Sequence, residues 1–106
     1  MAQTFKPTQK MADNARRGLE LRAEFGRGGT EVGVARARQL AERRDVSEAD
    51  VKSMYSYFAR HTVDKRADNW GNPIHPSAGY IAWLLWGGDE GQAWATAKRA
   101  RINEGE

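Results

Sequence analysis

A chain of 106 residues is long enough for one domain with a sizeable core and too short for two. With 40% hydrophobic and 29% charged residues it reads as a globular protein with a wet surface, and the lack of cysteine excludes disulfides and thiolate metal sites, which fits a reducing compartment. The net charge of +3, carried mostly by arginine, permits contact with nucleic acid or an acidic surface without demanding it.

The opening MAQTFKPTQK has no apolar stretch of the signal-peptide kind, and residues 1–6 read as a loose arm. A first helix is expected from Pro7 and Thr8 to Phe25. Taking Met11 as origin at about 100° per residue, Ala15, Gly18 and Phe25 share its face, with Leu19 and Leu21 on the flanks. Arg22 falls in the middle of this apolar face. It either snorkels along the stripe or pairs with a carboxylate, or it reaches past Gly18 to a ligand or partner.

Gly26-Arg27-Gly28-Gly29-Thr30 breaks that helix, with a backbone that glycine leaves nearly unconstrained. Thr30 then caps a second helix, Glu31 to Arg44, whose inner face is Gly33, Val34, Ala37, Leu40 and Ala41. Arg36 and Arg43 share one outer edge. Ser47 and Asp50 form a capping-box variant for a third helix, and Val46 and Val51 sit where a hydrophobic staple is made. Val51, Met54, Tyr55 and Phe58 follow at i, i+3, i+4 and i+7 as its core stripe, while Lys52, Ser53, Ser56, Tyr57 and Arg60 face out. The short link between the second and third helices predicts a compact corner.

Residues 63–76 form a long connection broken by Gly71, Pro73 and Pro76, in which Trp70, Ile74 and His75 are candidates to tuck back onto the core. The most apolar run of the chain follows, SAGYIAWLLWGG. Ser77 is its expected N-cap, and Gly87 and Gly88 its expected stop. It is far shorter than the roughly 20 residues a bilayer span requires. A helix apolar on every side belongs inside a bundle. Asp89 is expected to cap a last helix, with Gln92 as its capping-box partner and Ala93, Trp94 and Ala97 inward. Lys98, Arg99 and Arg101 close it with charge that suits the helix dipole, and residues 103–106 read as a tail. The fold expected is all-α: one helical domain over 7–102, a compact bundle of about five helices around a buried central helix at roughly 78–86.

Three candidate sites compete with plainer readings. The glycine turn feeding the second helix offers free N–H groups and a partial positive charge to an anion. Eight arginines and four acids lie between Arg16 and Arg44. Arg27, Gly28, Gly29 and Thr30, with Arg36 and Arg43 beside them, form a phosphate-binding candidate, because arginine forks match phosphate geometry. GRGGT is not a P-loop, since it lacks that motif's spaced glycine and lysine. The plain alternative is an ordinary interhelical turn with solvated arginines.

The second and third helices also admit a helix-turn-helix reading. Lys52, Ser53, Ser56, Tyr57 and Arg60 would then enter the major groove, or Tyr57 would stack on an unpaired base. His61, Asp64 and His75 are weak candidates for a two-histidine, one-carboxylate metal site. The alternative is a helix-end His61 and a loop His75. No nucleophile–base pair or pair of carboxylates at a telling spacing is present, so neither an enzyme nor a cofactor is expected.

The blocks ARRGLELRAEFGRGGTEVGVARARQL, MYSYFARHTVDK and PSAGYIAWLLWGG together resemble a small module of tailed bacteriophages, which occurs alone or beside head-maturation protease regions. The resemblance spans roughly Asn14 to Trp94. It implies a phage origin and a place in the cytoplasm of an infected host cell or in the virion, and it supplies no catalytic residues. Position 80 is tyrosine here, where relatives are expected to carry arginine.

The function expected is a phage-encoded, non-enzymatic protein that holds nucleic-acid phosphates on its arginine surface. The alternative is a protein-interaction module, for head assembly or for a host protein. Trp70 would then be a contact residue, because tryptophan and arginine dominate interface hot spots.

Overall fold

The computed structural model describes residues 3–105, and a short apolar helix, α4 (Ala78–Leu85), forms its spine. The Ser77 hydroxyl accepts the Tyr80 N–H at 3.1 Å, which starts α4 as the sequence predicts. Gly87 and Gly88, at φ of 112° and 69°, stop it. Ile81, Trp83, Leu84, Leu85 and Trp86 are buried. Four helices pack around this spine: α1 (Gln9–Phe25), α2 (Glu31–Ala41), α3 (Glu48–His61) and α5 (Gly88–Glu104). The all-α, five-helix bundle is therefore the observed architecture. Among the described residues no helix is long and apolar enough to cross a membrane.

The packing follows from small residues at the crossings. A Cβ on Gly18 would sit 2.8 Å from the Leu85 backbone nitrogen, so α1 approaches α4 at backbone contact. A Cβ on Gly91 would lie 2.8 Å from the Trp86 carbonyl oxygen, so the first turn of α5 folds closely back on the end of α4. α2 packs chiefly on α1 and α4, and α3 chiefly on α5. The second and third helices thus do not make the compact corner that their short link suggested; each finds its larger partner elsewhere.

The chain ends differ from expectation. Residues 4–5 are not a loose arm: strand β1 (Thr4–Phe5) pairs antiparallel with β2 (Val46–Ser47), and Phe5 is buried edge-on against Trp94. Lys98 and Arg101 lie over the other reaches of the Phe5 ring, at 5.9 and 5.8 Å from its centroid. Met1 and Ala2 lie outside the described residues. Residues 103–104 continue α5, with Ile102 buried beneath them. The inward face of α5 is Gly91, Trp94, Ala95 and Ile102, whereas Ala93 and Ala97 are exposed. The cap of α5 is Gly87, not Asp89, whose carboxylate is drawn off to other donors.

The 63–76 connection carries its own order. Thr62–Arg66 is a 3-10 helix, and the Asn72 side chain accepts the N–H groups of Ile74 and His75 in a tight turn. Trp70 does fold back, meeting Tyr80 and Trp83 edge-on at 5.2 and 5.7 Å between centroids. Ile74 and His75 stay exposed. Lys65 pins this segment to α5. Its ammonium donates to Asp89 at 2.8 Å and lies 4.7 Å from the Trp83 ring centroid. The Trp83 indole donates to the same Asp89 oxygen at 2.9 Å. These contacts hold the Asp89 carboxyl below the usual carboxylate range, the Lys65 hydrogen bond first among them.

Candidate binding site

The glycine turn is clamped rather than loose. Gly26, Gly28 and Gly29 all have positive φ, which closes α1 and turns the chain into α2. A Cβ on Gly28 would lie 2.6 Å from the Ile81 Cβ, and one on Gly29 would lie 2.7 Å from the Leu85 Cδ1. The turn therefore lies against α4, and Gly28 and Gly29 serve close packing as much as backbone freedom. The Thr30 hydroxyl accepts the Gly33 N–H as the cap of α2. Arg22 spans the bend: its Nε donates to the Gly28 carbonyl at 3.0 Å, and its guanidinium reaches Glu31 at 3.4 Å. The carboxylate-pairing reading of Arg22 describes this contact.

The arginines proposed for phosphate are engaged within the chain. Arg27 donates to the Pro76 carbonyl at 2.8 Å and leans on Phe25. Arg36, its side chain only 11% exposed, pairs with Asp50 at 3.2 Å, donates to Gln39 and lies 5.5 Å from the Trp86 ring centroid. The Arg36 hydrogen bond is the leading reason that the Asp50 carboxyl sits below its usual range. Arg43 is not on the outer edge of α2 at all. The helix ends at Ala41, Arg43 takes the left-handed conformation at φ 53°, and its Nε donates to the Pro7 carbonyl at 2.9 Å. Arg36 and Arg43 thus serve the fold, and the shared outer edge is corrected. Arg38, Arg60 and Arg66 are exposed, with no partner among the described residues.

Tyr57, expected to face out, is turned inward. It is 5% exposed, stacked on Trp86 at 4.5 Å and 7° and on His61 at 4.5 Å and 26°. It is therefore in no position to stack on a base. Tyr55, expected in the core stripe, is only half-buried and carries the Arg99 guanidinium 4.2 Å from its ring centroid. The indole of Trp86 recruits the α3 face that carries Tyr57 and rotates the buried stripe by that much. Trp70, sealed by Tyr80 and Trp83, is likewise half-buried. Lys52 and Arg60 stay on the exposed side of α3.

These residues frame a feature that the sequence did not reveal. A cleft of about 520 Å³ opens between the glycine turn, the start of α2, the second half of α3 and the exposed edge of α4. Val32, Tyr57, Ala82 and Trp86 supply its apolar lining, while Thr30, Ser53, Arg60, His61 and Asp64 supply the polar groups. Val32, on the lip, is 63% exposed. The Tyr57 hydroxyl is buried without a partner. Burial, and then the Asp64 charge, raise its pKa well above the ordinary phenol value, so it is a neutral phenol at physiological pH. The alternation of polar and apolar positions on α3 hints at such a face. The cleft itself joins three segments distant in sequence, 29–32, 53–64 and 78–86, and no local pattern encodes that.

His61 Nδ1 and Asp64 Oδ2 lie 3.0 Å apart. Ser53 lines the same cleft, but it stands eight residues before His61 on one helix. At about 1.5 Å per residue that is ~12 Å along the axis, so the three side chains form no relay. His75 lies apart in the exposed turn. Among the described residues, no three histidine or carboxylate side chains gather as metal ligands. No family model, curated protein or solved structure matches the chain.

Proposed function

We propose that this chain is a non-enzymatic binding module that takes a segment of a partner protein into the α2–α3–α4 cleft. The observation that carries the reading is the cleft itself: an open apolar floor of Ala82 and Trp86, a solvated valine on the lip, and a few polar groups above. That mixture, and a volume within the usual range of roughly 300–1,000 Å³, characterise sites that hold side chains of a partner or ligand. The resemblance to a tailed-phage module makes a phage structural protein or a host protein the expected source of that segment.

The test is site-specific crosslinking of the full chain in lysate of cells that produce it. With Val32 replaced by p-benzoylphenylalanine, irradiation should give a protein adduct that survives nuclease and disappears when Ser53→Trp fills the cleft. Adducts that vanish with nuclease, or that ignore Ser53→Trp, overturn the reading.

Contact with nucleic acid is the second reading, and what favours it is the exposure of Arg38, Arg60 and Arg66 on a chain of net charge +3. Binding by such a surface would be largely independent of sequence and would weaken steeply with salt. DNA affinity that is absent at low salt, or unchanged as salt rises, removes it.

A further inference from the structure

Of the charged groups around the cleft, the one without a partner among the described residues is a cation. The Arg60 guanidinium is exposed and has no carboxylate partner among the described residues. The Tyr57 hydroxyl is buried and unpaired. At the near end, Ala78 and Gly79 begin α4, where the first N–H groups of a helix have no partner within it. Ser77 absorbs the next two: its hydroxyl takes the Tyr80 N–H and its carbonyl the Ile81 N–H. The one anion in the lining, Asp64, faces the His61 ring and packs on the start of α4, where a Cβ on Gly79 would lie 2.8 Å from the Asp64 Cβ. An occupant that matched this surface would bring acceptors and negative charge to the polar side, and an apolar group to Ala82 and Trp86.

We propose that the cleft selects a carboxylate carried beside an apolar group, as in an acidic residue next to a large hydrophobic one, with Arg60 as the charge that reads it. The inference rests on the cleft being the contact site. Arg60 supplies the long-range attraction and a planar donor fork suited to a carboxylate. The start of α4 is already faced by Asp64, whose Oδ2 would lie 3.3 Å from a Cβ on Gly79, so the attraction for an incoming carboxylate comes from Arg60. Apolar contact with Trp86 fixes how deep the neighbouring group sits. A neutral amide of the same shape would keep the apolar contact and lose the charge that Arg60 reads.

The experiment is a pair of NMR titrations on the intact chain, following backbone amides with 3-phenylpropionate and with 3-phenylpropanamide. The carboxylate should move the amides of Val32, Ser53, Gly79 and Ala82, and should bind at least ~10-fold more tightly than the amide. Arg60→Gln, at an exposed position that the core does not use, should bring the two probes to equal affinity. Arg60→Lys should restore part of the preference. Equal binding of both probes in the cleft of the unaltered protein overturns the carboxylate selection and leaves the contact-site reading standing. A preference that survives Arg60→Gln overturns the role of Arg60 in the same way. Absence of cleft shifts from either probe at millimolar concentration also overturns the proposal, and the crosslinking experiment then decides the contact site on its own.

Discussion

Gly28 and Gly26 both have positive φ, yet they should respond differently to alanine. At Gly26 a Cβ would meet nothing within 4 Å, so Gly26→Ala should cost about 1 kcal/mol for the left-handed backbone alone. At Gly28 the same methyl would collide with Ile81, and the loss should be at least ~2–4 kcal/mol. Urea unfolding of the two variants measures the gap. Asp89 makes a second prediction. Its folded pKa is depressed below the unfolded value of about 3.9, so its contribution is present above that pH and is lost as pH falls through the folded value. Asp89→Asn keeps an oxygen for the Trp83 indole and removes the charge facing Lys65. The variant should melt below the parent at neutral pH, and the two melting curves should converge as pH drops below about 4. Arg36 and Arg38 divide in the same manner. Arg36→Ala strips the partner from Asp50 and the guanidinium from the Trp86 face, and should cost about 1–2 kcal/mol. Arg38→Ala should stay within about 0.5 kcal/mol, as expected of an exposed side chain, in the same urea series.

At the scale of elements, the caps were legible and the partners were not. Thr30, Ser47 and Ser77 each accept the N–H three residues on, because a cap is a local bond between near neighbours. The central helix was legible from its unbroken apolar run and its double glycine stop. Strand β1 was not: two residues carry no period, and Phe5 is buried by distant partners, Val46 across the sheet and Trp94 on α5. Phe5→Ala should therefore cost about 3 kcal/mol or more, a penalty that no loose arm would show, and denaturant titration monitored by circular dichroism would register it. The exchange of Tyr55 for Tyr57 has the same origin. Both lie at the margins of one helical stripe, and Trp86, thirty residues onward, decides which is buried. Asp89 looked like a cap from its position relative to Gln92, but the Trp83 indole and the Lys65 ammonium, the latter from the distant 62–66 turn, take its oxygen.

Over the whole molecule, the arginine excess proves to be largely internal mortar. Arg22 closes the glycine turn through the Gly28 carbonyl, Arg27 and Arg43 bind the distant carbonyls of Pro76 and Pro7, and Arg36 ties α2 to the start of α3 through Asp50. Composition showed that the cations were there, and only the assembled chain shows how many are left for a partner. What remains outward is a cleft whose depth comes from the small side chains of α4, whose floor is Ala82 and Trp86, and whose one cation without a partner among the described residues is Arg60.

The shared burial of Phe5 by Trp94, Lys98 and Arg101 brings the first strand and the last turns of α5 side by side. A few glycines sewn between residues 105 and 3, with new ends opened in the exposed Asn72–His75 turn, would give a circular permutant with the same interior. By the same geometry, the unit can be set as a cassette into a surface loop of another protein, with Phe5 and Arg101 as the paired anchors of its entry and exit.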